Sequence, residues 1–417
     1  MAEPMQDPSL RSVEAARAEI RRLVRAIAQS ETVALADADR RILAADLVAP
    51  VDVPGHDNSA MDGYALRYED LNADAATRLP VRALLLAGAA PSAGPDPGAC
   101  VRIMTGAPLP ADTDTVVPIE AALETGAGAA CQVSIPRGQQ RGQHVRRAGE
   151  DIRAGSVLLR AGQRLGPAEL GLAASIGLAH LRVFRRLRVA CFSTGDELAA
   201  PGGTRRPGQA FDANRPMLCA WLERLGFEVI DLGVVADDAN ALEAALASAS
   251  GRADAIVTSG GVSGGDADHV RTIAGRLGTV SFWKLALRPG RPFAFGRIAD
   301  AWLFALPGNP VAAMVAFGAL AREGLLRLAG ETDPPEPPQL QARCESLLRK
   351  RPGRVEYQRG ILVRDPGGLW CVRSTGEQGA GILSSLSRAN CYIVLDSARG
   401  DVSPGESVPV QLFEGLY

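Results

Sequence analysis

The chain has 417 residues, 47% hydrophobic and 22% charged, with a formal net charge of -2, which is more than one core usually supports and predicts two to four domains. Aromatics make up only 5%, whereas glycine (45) and proline (28) are plentiful, arguing against a single-stranded nucleic-acid binder built on stacked rings, and no basic excess points to nucleic acid of any kind. Seven cysteines without paired spacing and four unclustered histidines argue against a disulfide framework or zinc site and favour reduced thiols.

Residues 1–14 are acidic and polar with no apolar signal-peptide core, so a cytoplasmic protein is expected. In residues 12–30, Val13, Ala16, Ile20, Leu23, Val24 and Ile27 fall at helical spacing and predict an amphipathic helix. A second helical piece is expected over 37–45. From 51 to about 145 turn residues recur every few positions between short β-type runs, which predicts a compact β-rich unit. Residues 149–183 return to short strands and one helix, 167–176, with proline in its first turn.

The stretch 187–330 is the most regular. Strand-like runs at 187–192, 227–232 and 254–259 alternate with helical runs at 215–225, 239–250 and 266–277. Further strands at 280–287, 293–298 and 302–306 precede a last helix ending at Leu328. This alternation predicts a parallel, doubly wound sheet. Residues 301–321 carry no charge and are long enough to span a bilayer, but Pro307-Gly308-Asn309-Pro310 divides them into strand and helix, so no membrane span is expected. The proline-rich run 331–338 is a stiff linker, and 340–417 reads as a small β domain.

In open α/β sheets ligands bind outside the carboxyl ends of the strands. Each such end here carries chemistry: Ser193-Thr194-Gly195-Asp196-Glu197, Asp237-Asp238, the run from Ser259 to Asp268, Arg288-Pro289-Gly290-Arg291, and Pro307-Gly308-Asn309-Pro310. Ser259-Gly260-Gly261-Val262-Ser263-Gly264-Gly265 enters a helix and lets backbone N–H groups approach an oxyanion; taken alone, such a run is as often a tight turn with Asp266 as its cap. Lys284, Arg288 and Arg291 suit a phosphate-like anion, and a solvated basic edge is the bland alternative. Glu197, Asp237, Asp238 and Asp268 are candidate ligands for a hard metal such as Mg2+, with Asp238 the one most readily explained as a helix cap. An anionic, phosphorylated ligand held with a divalent metal is the reading that results.

Three more segments bear on function: Asp57-Asn58-Ser59-Ala60-Met61-Asp62-Gly63-Tyr64-Ala65, Ile103-Met104-Thr105-Gly106-Ala107-Pro108 and Arg147-Ala148-Gly149-Glu150-Asp151-Ile152. Together with Phe192-Ser193-Thr194-Gly195-Asp196-Glu197-Leu198, the Ser259–Ser263 run and Leu306-Pro307-Gly308-Asn309-Pro310-Val311, they resemble the molybdopterin molybdenumtransferases. That family includes bacterial MoeA, the plant molybdenum-insertase E domains and the gephyrin E domain. The match runs in order over residues 12–417.

The resemblance implies an α/β multidomain fold: an elongated α+β domain I (1–50 and 147–183), an inserted β-rich domain II (51–146), a doubly wound α/β domain III (184–330) and a C-terminal β-barrel domain IV (331–417). It implies a homodimer with the active site between domain III of one subunit and domains II and IV of the other. The implied reaction takes adenylyl-molybdopterin and molybdate, with Mg2+, and releases AMP. Asp62 and Thr105 are expected to face the cleft as catalytic residues with Glu197, Asp237 and Asp268, the last three on the metal. Substrate contacts are expected from Ser59, Ser193, Thr194, Gly195, Ser259, Gly260, Gly261 and Ser263. Lys284, Arg288, Arg291, Pro307, Gly308, Asn309 and Pro310 complete that set.

Where the family often has three lysines in the fourth-strand loop, this chain has Lys284, Arg288 and Arg291; arginine keeps the charge and adds bidentate geometry. Gly264 and His56 also depart from the common residues. An adenylyltransferase acting through the α/β unit is a competing reading, opposed by the inserted β unit and the C-terminal domain. A non-catalytic scaffold is opposed by the intact carboxylates Asp62, Glu197 and Asp268.

Overall fold

A computed structural model describes residues 9–262 and 269–413. The strands of the regular stretch form one six-stranded sheet in the order Glu228–Val235, Arg188–Thr194, Ala255–Ser259, Ala301–Leu306, Pro292–Ile298, Gly278–Lys284. Side chains alternate across it. Val189, Cys191, Val257, Phe293, Phe295 and Phe304 join one core with the helices Asn214–Arg224 and Pro310–Ala316. Ala190, Phe192, Ile256, Ala294 and Leu303 join a second core with Ala239–Arg252 and His269–Leu277. A period-two apolar pattern with both faces buried is what a sheet covered by helices on each side requires.

The sheet is not wholly parallel. The first four strands in that order are, but Pro292–Ile298 runs antiparallel to both neighbours. Only residues 285–291 and 299–300 connect the last three strands, too little chain for a parallel crossover of a dozen or more residues. One consequence matters for the site: Gly278–Lys284 ends at the same edge as the parallel strands, so the 285–291 loop lies beside their carboxyl ends.

The first helix is Val13–Leu23, capped by Ser12, whose hydroxyl accepts from the Ala15 amide at 3.0 Å. It buries Val13, Ala16 and Ile20 in the α/β core. A Cβ on Gly324 would sit 2.9 Å from both Ile20 and the Phe304 ring, so glycine permits the close approach. The helix thus packs its apolar face on the α/β body. It also stops short of residue 30, because Val24 turns extended and Ser30–Ala34 pairs with His180–Phe184. The helix expected over 37–45 is replaced by a 3-10 turn, Leu35–Asp37, after which Ile42 and Leu43 bridge to Arg164 and Val183. Tertiary pairing overrides local propensity there.

The inserted unit is a six-stranded sheet with Gly63–Leu66 and Cys100–Ile103 near its centre. In the C-terminal region Val355–Arg364, Trp370–Ser374, Gln339–Cys344, Ser407–Leu412 and Cys391–Leu395 close into a five-stranded barrel, since the last strand pairs back onto the first. The short strand Leu287–Arg288 pairs with Val355 and Glu356 and ties this barrel to the strand-end loop of the α/β body. Among the described residues no helix is long and apolar enough to cross a membrane.

Candidate functional site

From Thr194 the chain runs to a strand on one side of Arg188–Thr194, and from Val235 it crosses to Ala255–Ser259 on the other. The crevice between those two strands is the topological switch point, where α/β sheets bind ligands. Gly260 has φ 98°, and a Cβ there would collide with the Thr194 carbonyl oxygen. The Gly260 amide donates to the Leu306 carbonyl at 3.1 Å. Three strand ends therefore meet with their backbones nearly touching, which only glycine allows.

A cavity of about 770 Å3 opens over this junction. Thr194, Gly195, Glu197 and Asp237 form one side, with Gly260 and Gly261 at its base. Arg288 and Arg291 border it from the 285–291 loop, and Pro307, Gly308 and Asn309 from the turn before the last helix. The fourth wall comes from the barrel of the same chain, through Arg354, Gln378, Gly379 and Ala380. Carboxylates on one side thus face guanidinium groups on the other. Arg288 is half-exposed and lies 3.6 Å from the buried Glu356 carboxylate, its neighbour across the strand pairing.

Several expected contacts lie elsewhere. The Ser193 hydroxyl is fully buried and donates to Asp212 at 3.0 Å, while Ser259 donates to the Pro307 carbonyl at 3.2 Å. Neither lines the cavity, because both hydroxyls are engaged in supporting the turns. Lys284 is exposed at its strand end, its carbonyl accepting from the Arg11 amide, and Pro310 opens the helix Pro310–Ala316; neither lines the cavity. Asp238 caps Ala239–Arg252 by accepting from Asn240 and Ala241. Ser263, Gly264, Asp266 and Asp268 lie outside the described residues. Among the described residues no group of three or more His, Cys, Asp or Glu is placed to hold a metal.

Residues that sequence reasoning passed over hold the cavity together. Asn214 donates to the Ser259 hydroxyl and the Gly308 carbonyl, both at 2.6 Å, stapling two of the loops. Arg359, fully buried in the barrel, donates to Ser385 and to the Gly379 carbonyl, each at 3.0 Å, and its amide donates to Gln378 at 2.7 Å. It pins the segment that forms the fourth wall. The one available signal for Asn214 was its place at the start of a helix, three residues after Phe211; Arg359 gave none, since an arginine in a strand reads as solvated.

The other expected residues form a separate cluster. Asp62 accepts from the Thr105 amide and hydroxyl, both at 2.7 Å. These two bonds, backbone first and hydroxyl second, hold its carboxyl below the usual range. Ser59 exchanges backbone bonds with Gly106 and Ala107, and its hydroxyl donates to the Met61 carbonyl at 2.6 Å. Asp57 accepts from the Arg147 side chain and the Ala148 amide, bringing the third motif alongside the first. Within one chain neither Asp62 nor Thr105 lines the strand-end cavity.

Three family models match consecutive parts of the chain: the MoeA N-terminal region (domain I and II) over residues 11–177, a probable molybdopterin binding domain over 190–327, and the MoeA C-terminal region (domain IV) over 341–413. The chain is 40% identical to a molybdopterin molybdenumtransferase of Haemophilus influenzae, covering 93% of this chain and 95% of that protein. It is 38% identical to molybdopterin molybdenumtransferase 2 of Mycobacterium tuberculosis, covering 91% and 94%. A crystal structure of the molybdopterin biosynthesis MoeA protein from Pyrococcus horikoshii OT3 superposes with a TM-score of 0.81 at 25% identity, covering 97% of this chain and 100% of that one.

Proposed function

The chain belongs to the molybdopterin molybdenumtransferase family, enzymes of molybdenum cofactor biosynthesis, and from that premise we propose that it transfers molybdenum from molybdate to adenylylated molybdopterin with release of AMP. The observation that carries this reading is the junction of glycine-lined turns, two carboxylates and arginines around one cavity at the switch point. A dinucleotide-like pyrophosphate needs close approach to backbone N–H donors; Gly260, whose own amide is held by Leu306, and Gly261 permit that approach by lacking side chains. Molybdate, a tetrahedral dianion, needs forked cationic donors, a role for Arg288 and Arg291 with Arg354.

Glu197 and Asp237 fit a Mg2+ ion, which takes one or two carboxylates together with substrate phosphate oxygens and water; Asp268 is the further carboxylate in this reading. When bound, such an ion supplies Lewis-acid polarisation at the adenylyl phosphoryl group. Water adds to the adenylyl phosphorus and AMP leaves with its phosphate. The molybdopterin phosphate stays on the product, whose dithiol sulfurs replace oxide on molybdenum, the displaced oxygen leaving as water with the thiol protons. Asp62 and Thr105 join the cavity from the second subunit of a homodimer. Ionised at neutral pH and oriented by Thr105, the Asp62 carboxylate accepts the proton of the attacking water at Oδ2. Arg359 and Asn214 position the walls without touching the reacting atoms.

The test is to supply the purified protein separately with adenylyl-molybdopterin plus molybdate and Mg2+, and with molybdopterin plus ATP. The expected result is AMP release matched by molybdenum-loaded cofactor in the first mixture and no adenylylation in the second. Adenylylated product from the second mixture, with no AMP release in the first, overturns the assignment in favour of an adenylyltransferase.

A further inference from the structure

The same sheet carries a second cleft at its opposite edge, where the strands begin. It has a volume of about 530 Å3, within the range of small-molecule sites. Its walls are the segment after the first helix, the end of Ala239–Arg252, the start of Arg188–Thr194 and the hairpin around residue 300. At about 3.3 Å per residue, a strand the length of Arg188–Thr194 puts it roughly 20 Å from the strand-end cavity.

Five arginines line it, Arg25, Arg185, Arg188, Arg252 and Arg297, against two carboxylates, Asp254 and Asp300. The carboxylates do not cancel this charge. Asp254 is engaged by Arg185 through two bonds of 2.7 Å and by the Arg188 amide at 2.8 Å. The Arg188 guanidinium is left 3.7 Å from it, beyond hydrogen-bond reach, and its Nε is buried with no partner among the described residues. Asp300 is fully exposed and reaches Arg297 at 3.3 Å, where water screens the pair. Among the described residues, Arg25 donates to the carbonyls of Val24 and Arg21.

These cations are also ordered. Arg297 lies over the Trp302 ring, 5.4 Å from its centroid, and Trp302 is itself stacked on Phe295. Arg252 ends a helix, where the carbonyl dipoles favour a cation. Four chain segments remote in sequence therefore place guanidinium forks around one space, with an unsatisfied buried donor among them. A surface arginine run would be local and solvated instead.

We propose that this cleft binds a small phosphate-bearing anion with two or more negative charges. Phosphate oxygens accept forked pairs from guanidinium groups, and a multivalent anion offsets the surplus charge that Asp254 and Asp300 leave. The site is separate from the molybdopterin site and does not depend on the function proposed for it.

The experiment is isothermal titration of the full-length protein at low ionic strength, with inorganic pyrophosphate and with AMP as separate probes. Wild type is compared with R188A/R252A and with R291A/R354A. Two classes of pyrophosphate site are expected in wild type. R188A/R252A is expected to weaken one class at least tenfold and leave the other, and R291A/R354A to do the reverse; AMP shows whether a nucleotide serves as the phosphate source. A titration of R188A/R252A indistinguishable from wild type overturns the proposal, as does a single class abolished by R291A/R354A. Should the double variant lose its circular-dichroism signature, R252A alone, at an exposed helix end, gives the answer: weaker binding supports the site and unchanged binding overturns it.

Discussion

Asn214 donates to the Ser259 hydroxyl at 2.6 Å, although the two residues lie on different elements of the α/β body. The same amide nitrogen reaches the Gly308 carbonyl, so one side chain fixes the spacing of two turns that border the cavity. Asn214→Leu removes both donors and leaves a carbonyl unpaired beneath the site. A loss of about 1–3 kcal/mol in unfolding free energy is expected, together with a raised KM for adenylyl-molybdopterin. Denaturant unfolding and steady-state assays measure the two, and an unchanged KM contradicts the stapling role.

Gly260 and Gly275 make a controlled pair. The first has positive φ and no room for a side chain beside the Thr194 carbonyl; the second lies in the helix His269–Leu277 with open space around its Cα. Gly260→Ala is expected to abolish AMP release, since the turn must shift into the cavity. Gly275→Ala is expected to retain activity and gain up to about 1 kcal/mol from helix propensity. Thermal unfolding and activity of the two variants side by side decide this.

Much of the α/β body was legible because its strands carry unbroken apolar runs ended by glycine or proline turns. The antiparallel hairpin was not, since periodicity gives strand positions and not direction. The first helix was overextended because Val24 and Ile27 keep the helical spacing, yet the Ile27 amide donates to the Leu328 carbonyl instead of continuing the helix. Thr194, Gly260, Arg291 and Pro307 could be placed at the site from strand-end reasoning. Arg354 and Gln378 could not, because they reach it only through the pairing of Leu287–Arg288 with the barrel. Ser193 and Ser259 resembled ligand contacts because a serine in a strand-end motif does not reveal that its hydroxyl turns inward to Asp212 or Asn214.

Arg359 is buried with no carboxylate ion pair among the described residues, and desolvation lowers its pKa from the ordinary arginine value. Its donors serve Ser385 and the carbonyl of Gly379. Arg359→Ala is expected to cost about 2–5 kcal/mol through lost packing and unpaired carbonyls, with proteolysis appearing first in the 375–382 segment. Limited proteolysis with mass mapping checks it; cleavage elsewhere with that segment intact contradicts the pinning role.

Burial pushes the Asp254 carboxyl up, but the hydrogen bonds from Arg185 and the Arg188 amide prevail and hold it below its usual value. A carboxyl with a depressed folded pKa contributes stability that is present above its unfolded pKa of about 3.9 and is lost as pH falls through the folded value. Asp254→Asn is expected to be less stable than wild type at neutral pH and to converge with it as pH falls through the lowered folded pKa of Asp254. Urea midpoints across that range measure the gap, and a gap independent of pH contradicts it.

The strand-end cavity and the Asp62–Thr105 pair lie apart within one chain, so a second subunit is needed to bring them together under the proposed function. Mixing homodimers of Asp62→Asn with homodimers of Arg291→Ala, after dissociation and reassociation, tests this through AMP release from adenylyl-molybdopterin. Each parent is expected to be inactive, while the mixture recovers up to about a quarter of wild-type activity, from the one intact site in each mixed dimer. A mixture as inactive as its parents, with mixed dimers demonstrated by mass, contradicts a site shared between subunits.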